Sequence, residues 1–411
     1  MSTTTIDPID RLLDAAQNGK TLIKNRDVLH FTFMPNQILH RDPEQEKITQ
    51  SLLPILMESR PSNLLVYGKP GTGKTLVIKK VLSKIQKRVE EGSFPIKLAY
   101  TNAKQETTLY GLLVSFGRQL GLGSQKTNDE KMWLPSTGLS ISEVFNRILY
   151  VLDKHEINAV FVIDEIDYLA ELIQKTGKDV LYQITRANER LTTGSLTLIG
   201  VSNDLTFKER LDPRVISTLS EEEIIFTNYN LSQIKEILNA RISIAFDQGI
   251  VSDAALNLCS AMAGLESGDA RRALDLLRVA AEIAERNQLA GVSEEHIRQA
   301  AEKIEENKEV VALRSYPLHE KLLILSVMRS NEISTGEVYT TYKSLCKQTR
   351  QKELTQRRVT QMLSDIELSG IITGRIVHQG SHGNTKKYRI TISSEMVKTT
   401  LKDELLLQDI L

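Results

Sequence analysis

The spacing of apolar residues changes twice along the chain. Up to about residue 228, short continuous apolar runs alternate with stretches in which apolar residues recur every three or four positions. Such alternation predicts a parallel sheet covered by helices. Between residues 229 and 306 only the helical spacing occurs, and beyond residue 315 three helical stretches precede two alternating ones. The pattern predicts an α/β domain, an all-α domain and a small domain of three helices with a hairpin.

The boundaries of these elements follow from the same pattern. Residues 1–25 are polar and are predicted to form a flexible tail. The first domain, 26–228, is expected to contain a helical insert at 104–122 and strands at 64–67, 96–103, 159–163, 196–201 and 223–226.

The remaining domains are predicted to be mostly helical. The all-α domain, 229–306, should contain helices at 231–245, 253–263, 269–287 and 293–304. A charged helical linker at 307–314 then leads into the third domain, 315–411. That domain is expected to have helices at 318–330, 334–345 and 355–368, with strands at 371–377 and 387–392.

The composition is that of an ordinary globular chain, with 411 residues, 41% hydrophobic content and a formal net charge of +0. Cys259 and Cys346 lie far apart without a metal-ligand pattern, so they are predicted to be buried thiols in a reducing compartment. No apolar run reaches the roughly 18 residues of a membrane span, and the N-terminus has no apolar signal-peptide core. We therefore expect a cytoplasmic protein without a membrane partner.

The charge is unevenly distributed along the chain. Residues 321–402 contain 14 Lys and Arg against 6 Asp and Glu, a net of +8, so the rest of the chain carries −8. A basic unit of three helices and a wing is typical of a module that reads duplex DNA. The apolar face of its third helix leaves Arg357 and Gln361 on the opposite face, free for a groove. A winged module that contacts protein is the alternative.

A glycine-rich segment, Gly68-Lys69-Pro70-Gly71-Thr72-Gly73-Lys74-Thr75, lies between a predicted strand and a predicted helix. A phosphate-binding loop requires this context, because the glycines and the helix N-terminus present N–H groups to one anion. Lys74 is expected to reach the β- and γ-phosphates, and the Thr75 hydroxyl to bind Mg²⁺. The nucleotide-binding residues predicted in this loop are Gly71, Thr72, Gly73, Lys74, Thr75 and Leu76.

Polar residues follow two of the predicted strands. Asp164 and Glu165 end the apolar run 159–163, at the edge of the sheet where ligands bind. Asp164 is predicted to hold Mg²⁺, and Glu165 to orient or deprotonate the attacking water. Asn203, after the run 196–201, is expected to bond the γ-phosphate and that water. A helix N-cap is the alternative for the Asp-Glu pair.

Three residues of the all-α domain are candidates for covering a nucleotide. Arg271 lies in the first turn of the helix at 269–287, where a positive charge opposes the helix dipole. It is predicted to sense the γ-phosphate, with a solvated side chain as the alternative. Tyr229 and Arg241, at the hinge and in the first helix, are placed to cover the base and the phosphates. For Arg214 two alternatives stay open: it reaches a phosphate in trans, or it pairs with an acidic surface.

The order of these segments resembles that of the AAA+ replication initiators of archaea, relatives of the large eukaryotic origin recognition complex subunits and of the cell-division-control loader. The resemblance covers about residues 30 to 400. It rests on the loop at 68–75, Asp164-Glu165-Ile166-Asp167, Asn203, Asp212-Pro213-Arg214-Val215, Gly268-Asp269-Ala270-Arg271 and the C-terminal winged helix. It implies an α/β AAA+ P-loop ATPase base with a parallel sheet between helical layers, an all-α lid and a C-terminal winged-helix domain.

The resemblance implies that ATP or ADP binds with Mg²⁺ between base and lid. Lys74 and Thr75 match the Walker A pair, Asp164 and Glu165 the Walker B pair, Asn203 sensor one and Arg271 sensor two. The expected catalytic residues are therefore Lys74, Asp164, Glu165, Asn203 and Arg271, and Tyr229 and Arg241 match lid positions that contact nucleotide.

DNA contacts are implied for the insert, the third helix of the winged domain and the wing. The matching residues are Lys104, Thr108, Tyr110, Arg357, Arg358, Gln361, Arg375, His382, Asn384, Lys386 and Lys387.

The function implied is ATP-dependent initiation of DNA replication. The chain would bind double-stranded origin DNA, help recruit the replicative minichromosome maintenance helicase, work beside paralogous initiators and lie in the cytoplasm with the nucleoid. Residues 216–219 lack the arginine that many AAA+ oligomers supply in trans, which favours a weak ATPase that uses ATP as a switch. The alternative is a signalling or remodelling ATPase whose winged domain binds protein.

Overall fold

The computed structural model divides the chain into two compact units, one up to Ile297 and one from Arg298 onward. Each unit has its own hydrophobic core. The residues that the structure describes are 21–106, 108–125, 128–177, 179–219, 221–266, 268–330, 332–378, 384–402, 404–408 and 410.

A parallel sheet forms the centre of the first unit. Its strands are β1 (Leu64–Gly68), β2 (Ile96–Asn102), β3 (Asn158–Asp164), β4 (Ser195–Ser202) and β5 (Glu222–Phe226), in the order β2-β3-β4-β1-β5. The register pairs Asp164 with Val201 and Tyr67 with Ser202. The carboxyl ends of β1, β3 and β4 are therefore neighbours at the edge where open α/β sheets bind ligands.

Helices cover both faces of this sheet. On one face lie α1 (Asp42–Leu52) and α2 (Lys74–Gly92). On the other lie α3 (Leu109–Gln119), α4 (Ile141–Lys154), α5 (Ile166–Thr176) and α6 (Val180–Thr185), while α7 (Pro213–Leu219) precedes β5. The predicted sandwich of a parallel sheet between helical layers is confirmed.

Strand β3 shows why a central strand is apolar throughout. Val160 and Val162 belong to the core on one face, and Phe161 and Ile163 to the core on the other. Phe161 stacks on Phe116 with 4.0 Å between ring centroids. Because both faces are covered, a charge is disfavoured at each of the buried positions 159–163.

The helical lid follows the sheet domain. It contains α8 (Leu231–Ala245), α9 (Asp253–Glu266), α10 (Ala270–Arg286) and the start of α11 (Glu294–Ser315). A capping box between Asn230 and Gln233 begins α8. Asp269 caps α10, since its carboxylate accepts the N–H of Arg271 at 2.7 Å.

Residues 21–33, here called the N-terminal strap, lie against the lid. Ile23 forms a β-bridge with Phe246, and the side chains of Leu22 and Ile23 are buried. The predicted flexible tail is therefore wrong for residues 21–25, because apolar side chains anchor them. Residues 1–20 of that prediction lie outside the described residues.

The second unit has the winged-helix arrangement that was predicted. Helices α12 (Leu318–Met328), α13 (Thr335–Gln348), α14 (Gln356–Leu368) and α15 (Ser394–Leu401) pack with strands β6 (Ile333–Ser334), β7 (Ile372–His378) and β8 (Asn384–Ile390). The strand order is β6-β8-β7. The Thr355 side chain caps α14, as its sequence suggests.

Two predicted segments differ from or lie beyond what is seen. The predicted linker at 307–314 is helical, but it is part of α11, one continuous helix that begins in the lid. The predicted tip of the wing, residues 379–383, lies outside the described residues.

Each unit contains one cysteine. Cys259 lies in α9 and Cys346 in α13, and both are free thiols in buried positions. Burial raises the pKa of the Cys259 thiol to about 12. Among the residues described above, no helix has the length and apolarity needed to cross a membrane.

Candidate nucleotide and nucleic-acid sites

The glycine loop connects β1 to α2 as the sequence predicts. Gly71 and Gly73 have φ angles of +74° and +91°, which side chains other than glycine rarely adopt. A Cβ at Gly71 would lie 1.7 Å from a carboxylate oxygen of Asp269, and one at Gly73 would lie 2.8 Å from the Tyr229 hydroxyl. Glycine is therefore needed both for the turn and for the close approach of lid and hinge residues.

Lys74 lies at the start of α2 with its side chain buried. Its ammonium donates to the carbonyl oxygens of Gly68 at 2.6 Å and Lys69 at 2.8 Å. Burial, and then the positive charge of Arg271, lower the pKa of Lys74 to about 8 against the opposing pull of nearby carboxylates. A phosphate bound beside Lys74 would stabilise its protonated ammonium form and so offset the effect of burial.

Asp164 is bound by two hydroxyl groups at the end of β3. One of its oxygens accepts from Thr75 at 2.9 Å and from Tyr100 at 2.6 Å. Burial and the bond to Asp164 raise the pKa of Tyr100, so its hydroxyl remains a donor. The predicted metal residues Thr75 and Asp164 are thus in contact, and hydroxyl and carboxylate oxygens are the ligands that Mg²⁺ prefers.

This pair does not form a complete protein cage for a metal. The described part of the chain contains no group of three or more His, Cys, Asp or Glu side chains that could hold an ion. The two oxygens therefore suit a Mg²⁺ ion whose other ligands are phosphates and water, as is usual in nucleotide sites.

Glu165 and Asn203 lie at the same edge of the sheet. Glu165 has a φ of 53° and precedes α5 without a side-chain cap bond, so its carboxylate is not used as an N-cap. The Asp167 carboxylate accepts the Ser202 hydroxyl at 3.0 Å and the Asn203 N–H at 3.2 Å. Asp167 therefore holds the end of β4 against α5 and fixes the backbone of Asn203.

A cavity of about 610 Å³ opens beside the glycine loop. Its volume is in the range of small-molecule sites. Its walls include seven predicted nucleotide residues from loop, hinge and lid, together with two aromatic residues of the strap: Gly71, Gly73, Thr75, Leu76, Tyr229, Arg241, Arg271, Phe31 and Phe33. The structure thus brings together residues far apart in sequence that were predicted to share one site.

Tyr229 is buried at the hinge and stacks on an arginine that the sequence analysis did not single out. The Arg41 guanidinium lies 4.0 Å from the centroid of the Tyr229 ring. It donates to the carbonyl oxygens of Thr72 at 2.9 Å and Thr227 at 2.6 Å, and to Glu44 at 3.0 Å. Arg41 is only 3% exposed, so it links the loop to the hinge from within the core.

The two lid arginines that were predicted to contact nucleotide differ in their surroundings. Arg241 is buried and donates to the carbonyl oxygens of Val28 at 3.2 Å and Phe33 at 3.4 Å. Arg271 is exposed and lies 5.7 Å from the Phe31 ring centroid. Arg241 therefore holds the strap against the lid, whereas the Arg271 guanidinium is placed to receive an anion.

Arg214 makes a bidentate pair with a neighbouring carboxylate. Its guanidinium donates to the two Asp212 oxygens at 3.0 and 2.7 Å and lies 5.1 Å from the Tyr182 ring centroid. The pair lowers the pKa of Asp212 to about 2. Of the two readings left open for Arg214, the acidic partner is the one seen within the chain.

Helix α14 presents the predicted recognition residues on its solvent face. Arg357, Arg358 and Gln361 are all exposed. Arg358 donates to the Gln361 side chain at 2.9 Å, which aligns two polar groups along one face. Both can exchange that bond for a base edge or a phosphate.

The cations of the wing fall on two sides of the hairpin. Arg375 is paired opposite Lys387, and both approach Glu332, at 2.8 and 3.8 Å. Lys386 points to the other side, where its ammonium is bound by Glu367 of α14. The predicted residue His382 lies outside the described residues, and β8 begins at Asn384.

The insert is anchored at the positions predicted to contact DNA. The Thr108 hydroxyl caps α3 by accepting the Gly111 N–H at 3.0 Å. The Tyr110 hydroxyl donates to Pro135 at 2.9 Å, while Lys104 is exposed. Two of the three residues thus have local structural partners, and a contact of any of the three with DNA stays a prediction.

Comparison with protein-family models gives three matches along the chain. Residues 57–207 match an AAA domain, residues 235–302 the Cdc6 AAA+ ATPase-type lid domain, and residues 311–400 the CDC6, C terminal winged helix domain. An ORC1-type DNA replication protein of Cenarchaeum symbiosum is 65% identical over 405 residues, 98% of this chain and 97% of its own. The chain belongs to the ORC1-type DNA replication protein family.

Other members of the ORC1-type family agree over the same length. The protein of Thermococcus onnurineus is 38% identical over 98% of this chain and 96% of its own. Among solved structures, the Aeropyrum pernix ORC1 protein in complex with DNA matches with a TM-score of 0.82 and 35% identity. The match covers 95% of this chain and all of that one.

In this ORC1-type chain, Arg41 was the main omission from the sequence analysis. Arg41 is the residue before α1, so it opposes the helix dipole as Arg271 does. The argument that identified Arg271 therefore applies equally to Arg41. Tyr100 gave no comparable signal, because a tyrosine within an apolar strand is common.

Proposed function

We propose that this ORC1-type protein is an ATP-dependent initiator of DNA replication that binds origin duplex DNA. The observation that carries the proposal is the contact of Thr75, the neighbour of Lys74, with Asp164, because Thr75 also lines a cavity together with lid residues. The exposed polar face of α14, in a basic unit, supports the DNA part. The Aeropyrum pernix relative, whose structure contains DNA, supports it further.

In the nucleotide site, each residue has a separate proposed role in binding or hydrolysis. Lys74 turns from the loop carbonyls to the β- and γ-phosphates, where its charge is stabilised. Thr75 and Asp164 would hold Mg²⁺, which would supply neutralisation of the phosphate charge. Glu165 orients the attacking water, Asn203 bonds that water and the γ-phosphate, and Arg271 binds the γ-phosphate from the lid.

Hydrolysis in this site is proposed to be slow and to act as a switch. Arg271 and Tyr229 come from the lid and the hinge, and Lys74 and Asp164 from the sheet domain. A nucleotide that touches both groups favours one lid angle, and loss of the γ-phosphate removes the Arg271 contact. Arg214 needs no trans role in this scheme, because Asp212 already pairs with it.

DNA binding is proposed to combine phosphate and base contacts. Lys104 with Thr108 and Tyr110 of the insert, and Arg375 and Lys387 of the wing, would position the duplex by its backbone. Arg357, Arg358 and Gln361 would read base edges. Recruitment of the minichromosome maintenance helicase, work beside paralogous initiators and a nucleoid location belong to the same proposal.

Titration against two duplexes tests the DNA part. The full chain is mixed with an origin-like repeat and with a scrambled duplex, each at two salt concentrations. We expect tighter, salt-dependent binding to the repeat, which the double variant Arg357→Ala with Arg358→Ala loses. Equal weak binding to both duplexes would contradict the proposal and favour a winged domain that binds protein.

Two further variants test the ATPase part. Lys74→Ala should abolish nucleotide binding, whereas Glu165→Gln should bind ATP but fail to hydrolyse it. Normal turnover by Glu165→Gln would rule out its role toward the attacking water.

A further inference from the structure

The N-terminal strap is fastened to the lid at its first residues. The Lys24 N–H donates to the carbonyl oxygen of Ala245, at the end of α8, at 2.8 Å. Ile23 pairs with Phe246 next to it, and Leu22 and Ile23 are about 5% exposed or less. This end of the strap is therefore part of the lid, although it precedes the sheet domain in the chain.

One carboxylate of α10 holds the same end of the strap. Glu285 accepts the N–H of Leu22 at 2.8 Å and the N–H of Ile23 at 3.0 Å through one oxygen. Its other oxygen pairs with the Arg26 guanidinium. The Glu285 side chain is only 12% exposed, so the bonds from the Leu22 and Ile23 N–H groups are partly buried, whereas the Arg26 side chain is 51% exposed.

The far end of the strap forms part of the nucleotide cavity. Val28 and Leu29 are fully buried, and Arg241 of α8 binds the carbonyl oxygens of Val28 and Phe33. Phe31 and Phe33 line the same cavity as Gly71 and Gly73 of the glycine loop. The aromatic wall of the cavity is thus supported from lid helices at both ends of the strap.

We propose that Glu285 is a positioning residue for nucleotide binding, which fixes the strap so that Phe31 and Phe33 form a wall for the purine base. The inference rests on the proposed nucleotide function of the cavity. Because the strap is bonded to α8 and α10, the base wall moves with the lid. The base would then contact the lid through Phe31 of the attached strap, and the γ-phosphate would contact the lid through Arg271.

Binding of two ligands separates this role from a general effect on the lid. ATP carries a base, whereas inorganic tripolyphosphate presents the phosphates alone. In Glu285→Ala the dissociation constant for ATP should rise about tenfold, since bonds to a charged group are lost. The dissociation constant for tripolyphosphate should stay unchanged, because the glycine loop, Lys74 and Arg271 are intact.

A matched control exists on the same helix. Glu282 lies one turn before Glu285, and its carboxylate pairs with Arg278 of the same helix at 2.8 Å. Glu282→Ala should leave both dissociation constants unchanged. Glu285→Gln, which retains an oxygen for the Leu22 and Ile23 N–H groups, should give an intermediate loss for ATP and serves if Glu285→Ala does not fold.

Three results would overturn the inference. Equal ATP affinity in the wild type and both Glu285 variants would show that the strap does not position the base. Equal loss for ATP and tripolyphosphate would show a general defect of the lid. Absence of ATP binding by the wild type would reject the proposed function itself, and this inference with it.

Discussion

At the scale of single residues, the phosphate site places opposite charges around one buried lysine. Lys74 is buried next to the glycine loop, with the positive Arg271 on the lid side and the carboxylates of Asp164 and Asp269 nearby. Asp269 lies so close to Gly71 that no side chain fits there. Small changes in protonation or position therefore decide how well the loop receives an anion.

The lowered pKa of Lys74 predicts that nucleotide binding depends on pH. In the protein without nucleotide, the Lys74 amine is mostly protonated below pH 8 and mostly neutral above it. A bound phosphate favours the ammonium, so binding above pH 8 requires uptake of a proton. We expect ATP affinity to fall as the pH rises through about 8, by up to about tenfold per pH unit.

Calorimetry in buffers of different ionisation enthalpy measures this proton uptake. It should approach one proton per nucleotide near pH 9 and decline toward pH 7. A constant uptake across this range would contradict the assignment to Lys74.

Arg41 predicts a large loss of stability on removal. Arg41→Met leaves the carbonyl oxygens of Thr72 and Thr227 without a donor and Glu44 without its partner. We expect the free energy of unfolding of the first unit to fall by about 3 kcal/mol, measured by urea denaturation. Arg60→Met is the control, because Arg60 and Glu221 form an exposed pair at 3.5 Å. That variant should lose less than about 1 kcal/mol, and similar losses in both would contradict a special role for Arg41.

At the scale of elements, helix α14 and the wing share the basic surface unequally. Arg357 points to solvent, whereas the Lys386 ammonium is bound by Glu367 on the side of the wing that packs on α14. Both residues were predicted to contact DNA. The structure therefore separates two cations that the sequence could not distinguish.

Two alanine variants test this separation. Arg357→Ala should weaken binding of an origin duplex by about 1–3 kcal/mol if Arg357 reads a base. Lys386→Ala should cost less affinity, because its charge is already neutralised by Glu367. Fluorescence anisotropy with one duplex at one salt concentration compares them directly. A greater loss in Lys386→Ala would reverse the assignment of the two faces.

Elements with strong local signals could be predicted from the sequence. The apolar run of β3 and the glycine loop identified the sheet and the phosphate site, because strand burial and anion binding both restrict local residue types. The partners of Arg41 could not be predicted, since two of them are backbone carbonyl oxygens, 31 and 186 residues away. Glu285 and the strap are separated by more than 260 residues, and any exposed helix has such a glutamate.

At the scale of the whole molecule, the chain is two units with separate cores. The nucleotide cavity belongs entirely to the first, and the basic helix α14 to the second. Ligands for the two sites should therefore stabilise different parts of the chain.

Scanning calorimetry of the full chain tests this expectation. We expect two transitions, and ATP with Mg²⁺ at one hundred times its dissociation constant should stabilise only the first unit, by about 2.7 kcal/mol. Lys74→Ala serves as the control and should show no shift with ATP. One transition that moves as a whole with either ligand would mean that the two cores unfold together.

Because each unit contains one cysteine, the opening rate of each unit can be measured separately in the unmodified chain. Cys259 and Cys346 are buried in different units, so a thiol reagent can reach either one only when its own unit opens. The rate at which each thiol is consumed then counts openings of that unit, in unmodified protein and without an attached probe. Nucleotide should slow the reaction of Cys259 with the reagent, and duplex DNA should slow that of Cys346.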